Sequence, residues 1–119
     1  MLKRDKTMIL DAGEKIHIIE RRYFAEDIRR HLVGEIVRSS ENAFRVKGYV
    51  WVFDAMKGFI RKPEVREYVV YPSDRSTINI IPKEVDLDKL KYVTAPQRGL
   101  VVTDGKKFSL DISEFTSTR

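Results

Sequence analysis

Apolar and polar residues alternate with a period of two over several short segments of the chain, a pattern typical of half-buried β-strands. The segments predicted as strands cover residues 14–20, 31–39, 43–54, 65–71, 77–81, 100–103 and 106–112. Residues that favour turns separate these segments, and the pair Asp104-Gly105 is typical of a two-residue type I′ hairpin turn. The pattern therefore predicts a mainly β fold.

Helical spacing appears in one early segment. Phe24, Ile28 and Leu32 recur at positions i, i+4 and i+8, which predicts a short amphipathic helix over residues 22–30. Residues 86–90 are predicted to form one helical turn. Because a sheet of short strands avoids open edges by bending and closing, we expect a small bent-sheet barrel. It would carry one short N-terminal helix and a C-terminal hairpin extension.

The chain length predicts a single domain over residues 1–119. Within it, we expect residues 1–13 to form a loose N-terminal lead. Residues 14–95 are predicted to form the barrel with its preceding strand and helix, and residues 96–119 a hairpin and tail.

Composition narrows the classes of function. The chain has no cysteine, which excludes disulfides, thiolate nucleophiles and cysteine-ligated metal sites. The apolar run over residues 8–10 is too short for a signal peptide, and no segment is long enough for a membrane helix. We therefore expect a cytoplasmic protein with no membrane partner. The formal net charge of +5 permits a polyanionic partner.

The strongest predicted strand, residues 43–54, has two different faces. Its even positions form an apolar face of Phe44, Val46, Gly48, Val50 and Val52. Its odd positions are Arg45, Lys47, Tyr49, Trp51 and Phe53. Cations in line with aromatic rings are typical of single-stranded RNA binding, because bases stack on the rings while the cations contact phosphates. The same aromatic residues also suit buried packing or an oligomer interface, and both alternatives stay open.

Glycine in the middle of this strand indicates a bend, a bulge or a close backbone approach at Gly48. With Val50, Asp54 and Met56, this glycine resembles the first motif of the Sm and Lsm (Hfq-like) family of small β-barrels. The resemblance covers about residues 22–82. It implies a helix followed by five bent strands, a ring-forming homo-oligomer and single-stranded RNA binding, with Asp54, Met56 and Lys57 facing the pore.

The sequence departs from the family at both of its motifs. The family's Met-Asn pair is Met56-Lys57 here and comes one residue early, so the asparagine that contacts the base is absent. The nearest match to the family's second motif, Arg98-Gly99, opens a predicted strand instead of joining two strands.

Candidates for catalysis are few. His17 is expected on the solvent side of its strand, and His31 at the end of the helix, where a cation is favoured by the exposed carbonyls. Arg22, Arg29 and Arg30 are predicted either to bind phosphate or to pair with the acidic residues between them. Motifs of hydrolases and of nucleotide-binding loops are absent from the sequence.

These observations predict a non-enzymatic binding or assembly module, without metal or cofactor, that forms a homo-oligomer and binds single-stranded RNA. The alternative is a structural or protein–protein interaction subunit with no nucleic-acid ligand. The residues predicted to bind nucleic acid are Arg45, Lys47, Tyr49, Trp51, Asp54, Met56 and Lys57.

Overall fold

A computed structural model describes residues 9–21, 24, 29–73, 75–95 and 99–112. Its strands are β1 (Lys15–Glu20), β2 (Arg30–Ser39), β3 (Phe44–Asp54), β4 (Gly58–Arg61), β5 (Arg66–Val70), β6 (Ser76–Ile81), β7 (Lys91–Ala95), β8 (Gly99–Thr103) and β9 (Ser109–Asp111). A short 3₁₀ helix covers Leu87–Lys89, within the predicted helical turn. The prediction of a mainly β fold is confirmed.

The chain divides into two compact units, Met1–Ile81 and Pro82–Arg119. The first unit contains an antiparallel six-stranded sheet in the order β4-β3-β2-β1-β6, with β5 also paired to β3. The two halves of β3 pair with different strands along the same edge. Phe44–Gly48 pairs with β5, and Trp51–Asp54 pairs with β4.

This sheet is open, so the prediction of a closed barrel is wrong for the described residues. The physical reason lies in β1, which the sequence analysis placed ahead of the barrel. It pairs with β2 on one side and with β6 on the other, which widens the sheet instead of closing it.

The predicted helix over 22–30 lies largely outside the described residues. Its last residue, Arg30, is the first residue of β2, and the described residues contain no α-helix. The described part of the expected loose lead is held against the sheet. Leu10 is buried, its carbonyl accepts a 2.7 Å hydrogen bond from Ser39 Oγ, and the Gly13 N–H donates to the Ile36 carbonyl at 2.8 Å.

Two glycines lie opposite each other on β2 and β3. Gly34 and Gly48 are direct partners in the register. A Cβ atom added to Gly48 would lie 1.9 Å from the Val33 carbonyl oxygen and 2.5 Å from the Gly34 Cα atom. Of the bend, bulge or close backbone approach predicted at Gly48, the close approach is therefore the one observed.

One face of the sheet, the inner face, carries the core of the first unit. The buried apolar residues of this core are Leu10, Ile16, Ile18, Leu32, Ile36, Phe44, Val46 and Val50. Val52 is partly buried and packs against them. The even positions of β3 therefore form the core face, as the alternation predicts.

The second unit contains a three-stranded sheet in the order β7-β8-β9. The predicted hairpin is present as β8 and β9, but the two-residue type I′ turn is wrong. Thr103 pairs with Ser109, so the connection covers residues 104–108. The Asp104 carboxylate accepts hydrogen bonds from the backbone N–H groups of Lys106 at 2.8 Å and Phe108 at 3.1 Å, which stabilises this longer loop.

Candidate nucleic-acid interface

The opposite face of the first sheet, the outer face, carries the odd positions of β3, and their exposure varies along the strand. Arg45 and Lys47 are exposed, and Tyr49 is half-buried. Trp51 is buried, whereas Phe53 is 38% exposed. The predicted mixed face is therefore real, but only part of it is open to a ligand.

The pairing of β3 with β4 adds a second aromatic ring and a second arginine to this face. Phe59 is the direct partner of Phe53, and their ring centroids are 5.4 Å apart. The Arg29 guanidinium lies 4.9 Å from the Phe53 centroid and 5.5 Å from that of Phe59. This geometry is a cation–π contact that orients a positive charge over the two rings.

A second cation–π contact lies further along β3. The Arg61 guanidinium lies 4.3 Å from the centroid of the Tyr49 ring. Cations and rings thus lie beside one another along the outer face. We call this set, with the two exposed cations of β3, the cation–aromatic stripe: Arg29, Phe53, Phe59, Arg61, Tyr49, Lys47 and Arg45. From Phe53 to Arg45 the stripe runs about 27 Å, at ~3.4 Å per strand residue.

Two glutamates on the neighbouring strands lie beside the exposed cations of the stripe. Arg45 Nε lies 4.0 Å from Glu67 Oε1, and both side chains are about half exposed, at 48% and 52%. Lys47 has Glu35 and Glu67 as its direct partners on the neighbouring strands. Ion pairs exposed to water contribute little energy, so the charges of Arg45 and Lys47 stay available to a polyanion.

Trp51 is the predicted stacking residue that the structure places out of reach. Its side chain is only 8% exposed, and its direct partners are His31 on β2 and Arg61 on β4. Of the alternatives that the sequence left open, packing is the one observed for this residue. A base cannot stack on the indole ring in this structure.

The three positions carried over from the Sm and Lsm resemblance lie in the turn between β3 and β4. Asp54 Oδ1 accepts hydrogen bonds from the backbone N–H groups of Met56 at 2.8 Å and Lys57 at 3.0 Å. These bonds hold the pKa of Asp54 below its usual range. Met56 is 93% exposed and Lys57 is exposed. Asp54 thus stabilises the turn, and Lys57 offers a further cation beyond the Phe53 end of the stripe.

Both histidines are buried, so both sequence expectations for them are wrong. His17 has no exposed surface, and His31, which lies in β2 and not at a helix end, is 5% exposed. Their rings meet edge to face with centroids 5.1 Å apart, and His17 Nδ1 lies 3.4 Å from Asn79 Nδ2.

Burial lowers the pKa of His17 to about 4. Burial, His17 and Arg29 together lower the pKa of His31 to about 3. Both rings are therefore neutral at pH 7.

The first residue of the predicted helical turn has a structural role, and two of the arginines named from the sequence lie outside the described residues. Asp86 accepts a 3.0 Å hydrogen bond from the Asp88 N–H and caps the 3₁₀ helix. Arg22 and Arg98 lie outside the described residues. Among the residues that the structure describes, no group of three or more histidine or acidic side chains could hold a metal ion.

Sequence reasoning missed Phe59 and Arg61 as parts of this surface and left Arg29 unconnected to it. Their contribution depends on the register of the β3–β4 hairpin, which brings Phe59 opposite Phe53 and Arg61 opposite Trp51. The turn at Asp54–Gly58 is the sequence signal that could have revealed this pairing. A turn of known length fixes which residues of the two strands face each other.

None of the described residues belongs to a helix long and apolar enough to cross a membrane.

The resemblance to the Sm and Lsm family stays a prediction. No protein-family model matches the chain, and neither a curated protein nor a solved structure shows significant similarity to it.

Proposed function

We propose that this chain is a non-enzymatic, cytoplasmic module that binds single-stranded RNA along the cation–aromatic stripe. The observation that supports this function is the presence of cations beside aromatic rings along one face of β3, continued by Phe59 and Arg61 of β4. Single-stranded nucleic acid is bound by this combination, since every base has a face that stacks and every phosphate carries a charge.

The two kinds of residue have separate roles in this proposal. Arg45 and Lys47 contact phosphates, as does Lys57 beyond the other end of the stripe. Bases stack on Phe53 or on the guanidinium planes that lie over the rings, because arginine planes as well as aromatic rings accept a stacked base. A path of about 27 Å accommodates about four nucleotides, the lower end of known single-strand sites.

The test is the binding of a fluorescently labelled single-stranded RNA, followed by anisotropy over a series of salt concentrations. We expect the affinity to fall steeply with salt, and Lys47→Gln to reduce the slope of log K against log salt by about 0.7. The matched control is Lys107→Gln, which removes the same charge from an exposed position in the β8–β9 connection. Absence of binding at low salt, or an equal effect of both variants, would contradict the proposal.

The second candidate function is that of a structural or protein–protein interaction subunit that forms a homo-oligomer. The observation that favours it lies on the edge strand β6, which the described residues pair only with β1. Ile80 on this strand is 54% exposed, and an exposed strand edge with an apolar side chain is a template for pairing with another chain.

Light scattering on a sizing column at low and high salt tests this candidate. A discrete oligomer that survives high salt and dissociates with Ile80→Lys is the expected result for such an assembly. A monomer at both salt concentrations would contradict it and leave the stripe as the surface of interest.

A further inference from the structure

A cavity of about 270 Å³ opens at the Arg45 end of the stripe, where the end of β2, the start of β3 and the end of β5 meet. Arg38 and Arg45 line it together with Val69 and Tyr71, and none of the described residues that line it is acidic. Its volume is close to the lower limit of about 300 Å³ for small-molecule sites. The cavity therefore suits a ligand about the size of a phosphate and part of an attached ring.

The register of the sheet places two positive charges against each other at this cavity. The pairing of β2 with β3 shifts between Ile36 and Arg38, which is a β-bulge, and it makes Arg38 the direct partner of Arg45. Like charges directly opposite each other on neighbouring strands destabilise a sheet. Bulges are frequent next to binding sites because they re-aim side chains. An anion between the two guanidinium groups would replace this repulsion with attraction.

The protein itself supplies little negative charge to this pair. Among the described residues, Arg38 forms no ion pair, and the contact of Arg45 with Glu67 is long at 4.0 Å and half exposed. Two guanidinium groups match a phosphate monoester, which carries a charge of about −1.5 to −2 at neutral pH. An internal phosphodiester carries only one negative charge, so the pair favours a terminal phosphate.

Aromatic and apolar surface lies beside the arginines. Tyr71 is 70% exposed and Val69 is 57% exposed, although both line the cavity. An exposed tyrosine ring next to two guanidinium groups offers a stacking face for a base whose phosphate is held by the arginines.

We propose that this cavity binds a nucleotide through its terminal phosphate monoester, with Arg38 and Arg45 on the phosphate and Tyr71 against the base. The nucleotide is either the end of the RNA strand that lies on the stripe or a free mononucleotide. The first version rests on the proposed function. The shared chemistry is a phosphate monoester attached to a nucleoside.

The experiment compares one short RNA sequence in three forms, with a 5′-phosphate, with a 3′-phosphate and with hydroxyl groups at both ends. We expect one phosphorylated form to bind at least about tenfold more tightly than the hydroxyl form. Arg38→Gln should abolish this preference and leave the affinity for the hydroxyl form almost unchanged, because Arg38 is not part of the stripe. The control Arg66→Gln removes the same charge from an exposed arginine of β5 that pairs with Glu64, and it should keep the preference.

A second arm uses adenosine 5′-monophosphate and adenosine, measured by calorimetry. Equal binding of all three RNA forms would overturn the strand-end version while leaving the proposed function intact. If no RNA binds, binding of the monophosphate that Arg38→Gln abolishes would support the cavity as a mononucleotide site. The inference is overturned if neither the phosphorylated RNA nor the monophosphate binds. A phosphotyrosine peptide serves as a further probe, and the inference is also overturned if this peptide binds more tightly than the nucleotides.

Discussion

At one end of the outer face of the first sheet His17, His31 and Trp51 are buried, whereas at the other end Arg45 and Lys47 are exposed. We call these the histidine end and the arginine end. Both belong to the same neighbouring strands and show the same alternation of residues. The Gly34–Gly48 pair lies between them in the register, with Val33 and Tyr49 on one side and Glu35 and Lys47 on the other. Alternation therefore tells which side chains share a face, but not whether that face is covered.

The two ends also differ in how they use aromatic and basic residues, in packing at the histidine end and in exposed charge at the arginine end. At the histidine end, rings pack against one another, as with His31 and Phe59 at a centroid distance of 4.6 Å. Burial there keeps the histidines neutral, because a charged imidazole loses its hydration. At the arginine end the cations keep their hydration and their charge. Stability is thus expected to depend on the buried residues of the histidine end, and recognition of an anion on the exposed cations.

The largest expected effect comes from the glycine pair that separates the two ends. In Gly48→Ala the new methyl group would meet backbone atoms of Val33 and Gly34, which cannot move independently of β2. We expect a loss of at least about 4 kcal/mol in the free energy of unfolding, measured by urea denaturation. The control is Gly58→Ala in the same sheet, where the added atom meets nothing within 4 Å. The positive φ of that residue should cost only about 1–2 kcal/mol. Similar losses in both variants would contradict the close approach.

The packing of the histidine end is tested by Trp51→Ala. Removal of this buried side chain should cost about 3–5 kcal/mol in the free energy of unfolding. Tyr71→Ala, at the other end, removes an aromatic side chain that is 70% exposed, and it should change stability by no more than about 0.5 kcal/mol. Equal stability of the two variants in thermal or urea unfolding would show that the two ends do not differ in packing.

The buried histidines predict how stability depends on pH. Their pKa values fall from 6.5 to about 4 for His17 and about 3 for His31. Between these values and pH 6.5 the unfolded chain binds more protons than the folded chain, so stability falls as pH falls through this window. For His17 alone the loss on reaching pH 4 is on the order of 3 kcal/mol. Below about pH 3 the histidines contribute no further loss.

His31→Phe isolates this contribution from that of the carboxylates, because it removes one titrating ring and keeps an aromatic side chain beside Phe59. The slope of stability against pH between 4 and 6.5 should become shallower in this variant. An unchanged slope, measured by urea unfolding at several pH values, would show that the histidines are not the groups responsible.

Much of the fold could be predicted because strand alternation and turn residues are local signals. The inner face of β3 follows from its even positions, and the glycine in this long strand marked Gly48 as a bend, a bulge or a close approach, of which the structure shows the last. The pairing of β1 with both β2 and β6 could not be predicted, because it joins residues distant in sequence. The loop after Thr103 was mistaken for a two-residue turn because the hydrogen bonds from Asp104 compete with that geometry.

The sequence predicted some residues of the candidate site, but not which of them are buried or how they pair. Arg45 and Lys47 share one face because they alternate with core residues. The burial of Trp51 depends on what surrounds it in space, and periodicity carries no information about that. The like-charge pair of Arg38 and Arg45 depends on a register shift in the sheet, which shows in the structure alone.

The difference between the two ends can be tested most directly with tryptophan fluorescence, because the chain has a single tryptophan, Trp51. The measurement is acrylamide quenching of its emission while single-stranded RNA is added and the anisotropy of labelled RNA is followed in the same samples. Our account predicts weak quenching that RNA leaves unchanged, although the anisotropy shows binding. Strong quenching that RNA suppresses would show an exposed indole that stacks with a base, and it would contradict the packing of Trp51 out of reach of the ligand.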